Sequence, residues 1–124
     1  GWLWLDPAAS LVISLVIVVG TWALLRDSVA MSLDAVPAGI DPASVRAFLD
    51  QVPGVASVHD LHIWPMSTTE TALTAHLVMP AGHPADDVLA EIAHQLHDRH
   101  GIAHATIQVE TDGTLCKLAP DHVV

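Results

Sequence analysis

Nine histidines and fourteen carboxylates stand against only four lysines and arginines in this chain of 124 residues. The sharpest gathering is His59–Asp60–Leu61–His62–Ile63–Trp64, followed across a turn at Pro65–Thr69 by His76. Paired as an antiparallel hairpin, the two runs bring His59 opposite His76, within one residue of register. Directly opposed side chains have Cβ atoms only ~5 Å apart, near enough to share one metal ion. Neutral imidazole suits zinc and its first-row neighbours, and its grip should weaken as pH falls below about 6.5. His62 is one residue out of phase with His59, so an ideal strand aims it at the opposite face. The same pattern also describes polar residues on an open sheet face.

Two further groups are weaker. His104, Thr106, Gln108 and Glu110 share the polar side of a last strand, but His104 and Glu110 lie roughly 20 Å apart along it, too far to hold one ion together. If both are ligands, they serve different sites or different subunits. On a second helix, Asp87, Glu91, His94 and Asp98 form one stripe, and His94, His97 and His100 recur every third residue. Such spacing can hold a metal, yet it is also that of a solvated helix face. Cys116 is the only cysteine, which excludes an internal disulfide and a Cys-rich zinc finger. It could serve as a terminal metal ligand, with no second cysteine beside it. No Gly-x-Ser-x-Gly, phosphate loop or His-Glu-x-x-His is present, and Cys116 has no base partner in sequence, so the expectation is a protein that is not an enzyme. The net charge of −10 argues against a nucleic-acid partner, since phosphate backbones need clustered Lys and Arg.

The elements that must position these residues follow from breakers and periodicity. Asp41–Pro42 reads as an N-cap with proline in the first turn of a helix carrying Val45, Phe48, Leu49 and Val52, stopped by Pro53–Gly54. Extended runs follow from Val55 to Trp64 and from about Glu70 to Met79. In the second, Leu73, Ala75, Leu77 and Met79 face one way and Thr74 and His76 the other. Pro80–Ala81–Gly82 breaks that strand. A helix from about Ala85 to His100 buries Val88, Leu89, Ile92 and Leu96 and ends at Gly101, and a strand runs from Ala103 to Thr111. Two helices over one face of three strands give a two-layer α+β domain of order αββαβ.

Ahead of it, Pro7 to Leu25 is a run of 19 residues without a charge. As a helix it is roughly 28 Å long, close to the ~30 Å hydrocarbon core of a bilayer. Trp2, Trp4 and Trp22 lie near its ends, where indole favours the membrane interface. A secretory leader would start with basic residues, and Gly1–Leu5 has none. The span is therefore expected to be a transmembrane helix, an anchor or packing element without the ionisable residues a pathway needs. Arg26 just after it places the C-terminal side in the cytoplasm by the positive-inside tendency, and the lone cysteine agrees. The expected organisation is a transmembrane helix and its exit over 1–33, a linker over 34–41, the cytoplasmic domain over 42–111 and an irregular tail over 112–124. Because the chain begins without Met at an interfacial segment, it reads as the tail of a longer protein.

Together these motifs resemble the cation diffusion facilitator transporters. Val58–His59–Asp60–Leu61–His62–Ile63–Trp64 is similar to that family's strand motif. So is Ala105–Thr106–Ile107–Gln108–Val109–Glu110, with His104 before it. Leu24–Leu25–Arg26–Asp27–Ser28 through Val36–Pro37 looks like the link from its last membrane helix to its cytoplasmic domain. The resemblance implies a divalent-cation exporter, zinc-type, exchanging metal for protons in the cell membrane as a homodimer. It also implies a metallochaperone-like (ferredoxin-like) αββαβ cytoplasmic domain in which bound metal brings two copies together. On this resemblance His59 and His76 match ligands of the two hairpin strands and Glu110 the carboxylate of the last strand. His104 matches a less regular ligand, and His62 belongs to the motif. The family's transport sites lie on earlier helices that this chain does not contain, and Gln108 stands where one family pattern has histidine. The ligands suit zinc and also cobalt, nickel, iron or manganese. From Arg26 onward 13 acids and four bases leave a charge of −9 that bound cations would offset. The alternative reading is a membrane-anchored sensor of a small organic molecule, which needs an apolar pocket and no metal. A cytosolic metal carrier conflicts with the apolar span.

Overall fold

The computed structural model describes residues 1–114 and Cys116. It divides into two units, one comprising Gly1–Leu33 and the other starting at Asp34. The first is a single helix, α1 (Leu5–Ser32), long and apolar enough to cross a membrane, with an 18-residue window of mean hydropathy 2.4. Its 28 residues span roughly 42 Å, so it continues past the uncharged run through the exposed Arg26–Asp27 pair, 2.8 Å apart. The hydroxyls within it are satisfied locally. Ser10 donates to the carbonyl of Asp6 (3.0 Å), Ser14 to that of Ser10 (2.8 Å) and Thr21 to that of Ile17 (2.8 Å). This back-bonding is how a hydroxyl avoids an unmet hydrogen bond in an apolar setting.

The second unit carries α2 (Pro42–Asp50), β1 (Ser57–Pro65), β2 (Thr71–Val78), α3 (Asp86–His100) and β3 (His104–Glu110). This is the expected α+β order. Asp41 caps α2 by accepting the Ala43 N–H at 3.1 Å, with Pro42 in the first turn, where its missing N–H costs nothing. At the other end of α3, Gly101 takes the left-handed conformation (φ +67) and donates to His97 O at 2.9 Å. Ile102 N–H then reaches Leu96 O at 3.2 Å, which turns the Ile102 side chain into the core.

The sheet order is β1-β2-β3, with β1 antiparallel and β2 and β3 parallel through the α3 crossover. Val45 and Leu49 of α2 and Ile92 and Leu96 of α3 pack on one sheet face, against Leu61, Ile63, Leu73, Ala75 and Leu77. Fully burying a leucine contributes about 1.5–3 kcal/mol, so this layer holds the strands in place. The opposite face carries the polar residues.

One expectation is corrected here. His62 does not point to the opposite face from His59. The register runs His59↔His76 and then His62↔Thr74, so Asp60 and Leu61 together oppose Ala75. Asp60 sits at φ +51, a left-handed conformation that Asp tolerates better than most residues. This bulge resets the alternation. Leu61 drops into the core, and His59, Asp60 and His62 all stay on the polar face.

Candidate metal centre

The hairpin sets His59 and His76 side by side, with ring centroids 5.2 Å apart and planes at 73°. The parallel register places Glu110 beside Val78, two residues beyond His76, at the end of β3. From there its carboxylate reaches across β2. Oε1 lies 2.9 Å from His76 Nδ1 and Oε2 lies 3.4 Å from His59 Nε2. These three side chains are 14%, 18% and 12% exposed for His59, His76 and Glu110.

After β3 the chain turns back over the polar face. Asp112 Oδ1 accepts the Thr114 N–H at 2.9 Å and its hydroxyl at 2.8 Å. These bonds, the backbone one first, hold its carboxyl below the ordinary carboxylate value. Gly113 packs directly on Val78, where an added Cβ would come within 3.0 Å of Val78 Cγ2. The turn delivers Cys116, whose Sγ lies 3.7 Å from His76 Nδ1. One donor atom each from His59, His76, Glu110 and Cys116 then lies within 4.8 Å of all the others.

The residues fit a metal ion on two counts. Among the described residues, the buried His59 Nε2 and Glu110 Oε2 face each other at 3.4 Å but neither makes a hydrogen bond, an omission that ordinarily costs ~1–3 kcal/mol per group. A cation between them would satisfy both. Two imidazoles, a carboxylate and a thiol are also a zinc-type donor set, and metal–ligand bonds of 2.0–2.3 Å place tetrahedral donors roughly 3.3–3.8 Å apart. One donor atom from each of the four residues lies within 4.8 Å of the others, and Cys116 Sγ is 3.7 Å from His76 Nδ1.

The other sequence candidates lie outside this cluster. His62 is half exposed and bonds Asp60 Oδ1 through Nε2 at 2.9 Å. His104 sits at the start of β3, the opposite end from Glu110, with Nε2 3.6 Å from Glu70 Oε2 and both side chains more than half exposed. On α3, Asp98 takes a hydrogen bond from His97 at 3.0 Å and lies 3.3 Å from His94. The His97 bond foremost holds its carboxyl below the usual range; desolvation opposes it next, and the charges of His94 and His97 add to the lowering. That trio is solvated. Cys116, open in sequence as a possible terminal ligand but outside the expected donor set, joins the cluster, and Asp60, a partner of two rings, was not expected there. The only signals for them were a cysteine shortly after the last strand and an aspartate between two histidines.

A family profile described as "Cation efflux protein, cytoplasmic domain" matches residues 37–112, and the chain belongs to that family. It is 40% identical over 111 residues to the metal cation efflux system protein CzcD of Cupriavidus metallidurans, covering 89% of this chain and 35% of that protein. It is 37% identical over 111 residues to the zinc transporter ZitB of Escherichia coli, with the same coverages of 89% and 35%. A cadmium, cobalt and zinc/H(+)-K(+) antiporter of Bacillus velezensis is 33% identical over 114 residues, 90% of this chain and 36% of its own length. The chain thus spans about a third of the length of these relatives. Among solved structures, the metal-bound C-terminal domain of the CzcD transporter from C. metallidurans matches with 42% identity and a TM-score of 0.52, covering 57% of this chain and 99% of that domain. The fold and the family expected from the motifs are therefore those found.

Proposed function

We propose that this chain is the C-terminal portion of a zinc-type divalent-cation efflux transporter, anchored in the cell membrane by α1, with the domain from Asp34 onward in the cytoplasm. His59, His76, Glu110 and Cys116 would hold the ion there, supplying two imidazoles, a carboxylate and a thiolate. Bound metal favours the homodimer and thereby regulates cation/proton antiport by the whole transporter. The observation that carries this reading is the convergence of four donors from four segments, two of whose buried atoms make no hydrogen bond among the described residues. The relatives named for metal efflux and the metal-bound neighbour support it. Regulation follows from linkage. An ion that binds paired domains more tightly than separated ones shifts the population toward the pair by that difference in affinity, and no further. The domain's acidic charge, which opposes pairing, makes added cations more effective.

The test titrates zinc into the chain in detergent at pH 7 while following its mass, with the His59→Ala, His76→Ala double variant as control. Zinc-driven dimers that the control does not form are the expected result. Dimers of equal strength without zinc would end the metal-sensing reading.

A second reading has one observation behind it. The groove between α2 and α3, about 610 Å³, has Phe48, Val52, Val88 and Ile92 along it with Asp87, Glu91 and Arg99 beside them, a partly apolar pocket of the kind a small-molecule sensor needs. A ligand that binds there equally in both proteins, with zinc binding absent, would favour it.

A further inference from the structure

Asp60 is not one of the four clustered donors, yet it touches two of the rings around them. Its Oδ1 lies 2.9 Å from His62 Nε2 and its Oδ2 lies 3.4 Å from His76 Nε2. The other nitrogen of His76, Nδ1, faces Glu110 Oε1 at 2.9 Å and Cys116 Sγ at 3.7 Å. A neutral imidazole has one lone pair and one N–H. For Nδ1 to offer its lone pair to the cluster, the proton must sit on Nε2, and the acceptor there is Asp60. Without the bulge, strand alternation would turn residue 60 toward the core. The left-handed backbone keeps it on the polar face. Aspartate tolerates that backbone but glycine takes it more readily still, so the conformation does not require an aspartate, and the two imidazole contacts give its carboxylate a use.

We propose that Asp60 is a positioning residue of the metal centre: its carboxylate, hydrogen-bonded to His62 and 3.4 Å from His76 Nε2 without a hydrogen bond in this structure, accepts the Nε2–H of His76 when metal binds and so aims Nδ1 at Glu110 and Cys116. This rests on the reading of His59, His76, Glu110 and Cys116 as the metal site. It assigns the bulge a task, which is to insert an outer partner between two histidines of one strand without moving either from the open face.

The test compares wild type, Asp60→Gly and Asp60→Asn, each as the whole chain in detergent, by zinc calorimetry, cobalt absorption spectra and thermal unfolding without metal. Glycine keeps the left-handed backbone and removes the carboxylate. Asparagine keeps an oxygen able to accept from Nε2. The expected outcome is zinc affinity weakened about 10–100-fold in Asp60→Gly, most of it regained in Asp60→Asn, with metal-free unfolding of the glycine variant unchanged or shifted upward. Long-range proton–nitrogen NMR of the zinc-loaded wild type should show His76 protonated at Nε2, a readout that needs no variant to fold. Protonation at Nδ1 would overturn the proposal, as would wild-type affinity in Asp60→Gly. Equal weakening in both variants together with an altered cobalt ligand field would make Asp60 a ligand instead. If wild type binds no zinc, the metal-site reading fails and this role with it, whereas zinc binding that Asp60→Gly leaves unchanged removes this role alone.

Discussion

The polar face of the sheet carries a histidine–carboxylate pair at each end, and the two pairs differ in everything except residue type. At the end where β3 finishes, His59 and His76 meet Glu110 and Cys116 with exposures of 18% or less for the first three side chains. At the other end, His104 and Glu70 approach to 3.6 Å with 54% and 55% of their side chains in water. The first group draws donors from four segments, and among the described residues two of its buried atoms make no hydrogen bond. The second draws on two segments, and solvent meets whatever its partner does not. Closeness of a histidine to an acid therefore says little by itself. Burial of unpaired polar atoms and convergence from several segments are what set the first group apart.

The contrast can be broken most directly by removing one histidine from each end. His76→Ala is expected to lower zinc affinity by more than the roughly 100-fold upper range of an outer-shell loss. His104→Ala should leave it within about twofold, since exposed pairs carry only about 0–1 kcal/mol. Calorimetry on both variants checks this, and equal losses would erase the distinction. The next largest effect concerns the platform beneath the cluster. Leu61, fully buried next to the bulge, should cost about 2–5 kcal/mol of stability when changed to alanine, measured by urea unfolding. A loss below about 1 kcal/mol would mean that the bulge is not anchored from the core side. Cys116→Ser sharpens the site's composition. An affinity about tenfold weaker, or ~1.4 kcal/mol, with loss of the sulfur-to-cobalt absorption band, is the expected result, and retention of that band would remove the thiolate from the donor set.

The smallest effect belongs to a third histidine–acid group, the exposed trio on α3. Asp98 has a folded-state pKa below its unfolded value of 3.8. Its contribution to stability is therefore present above that pH and is lost as pH falls below it, through the folded value. His97→Ala should return the Asp98 titration, followed by carboxyl NMR, toward 3.8 while zinc binding is untouched. An unmoved titration would show that His97 is not the cause.

Much of this arrangement was legible before any coordinates. The hairpin turn between two alternating runs set the His59–His76 pairing, and the six-residue gap between His104 and Glu110 already put them in different places. What escaped has identifiable causes. The bulge at Asp60 rests on one backbone angle, and nothing in the hydrophobic pattern separates a bulged Asp–Leu pair from two regular strand residues. Cys116 reaches His76 only because the Asp112 turn and the close seat of Gly113 on Val78 fold the chain back. That path depends on tertiary contact, which local propensity does not encode. Glu110 was placed on the correct strand face, but its approach to the hairpin histidines depends on β3 entering the sheet parallel to β2, an order the list of elements left open.

That parallel crossover also bears on how the protein is made. The β1–β2 hairpin is a local structure, formed on the microsecond scale once its residues are available. Glu110 can join it only by closing the connection that holds the 15-residue α3 between β2 and β3, a longer-range and therefore slower event than hairpin closure. The four donors are consequently assembled by the last strand and the turn that follows it. An ion that needs all four cannot template the early hairpin, and it would stabilise only the finished domain, by mass action on the native state. A chain released from the ribosome before β3 would carry both histidines and still lack the site.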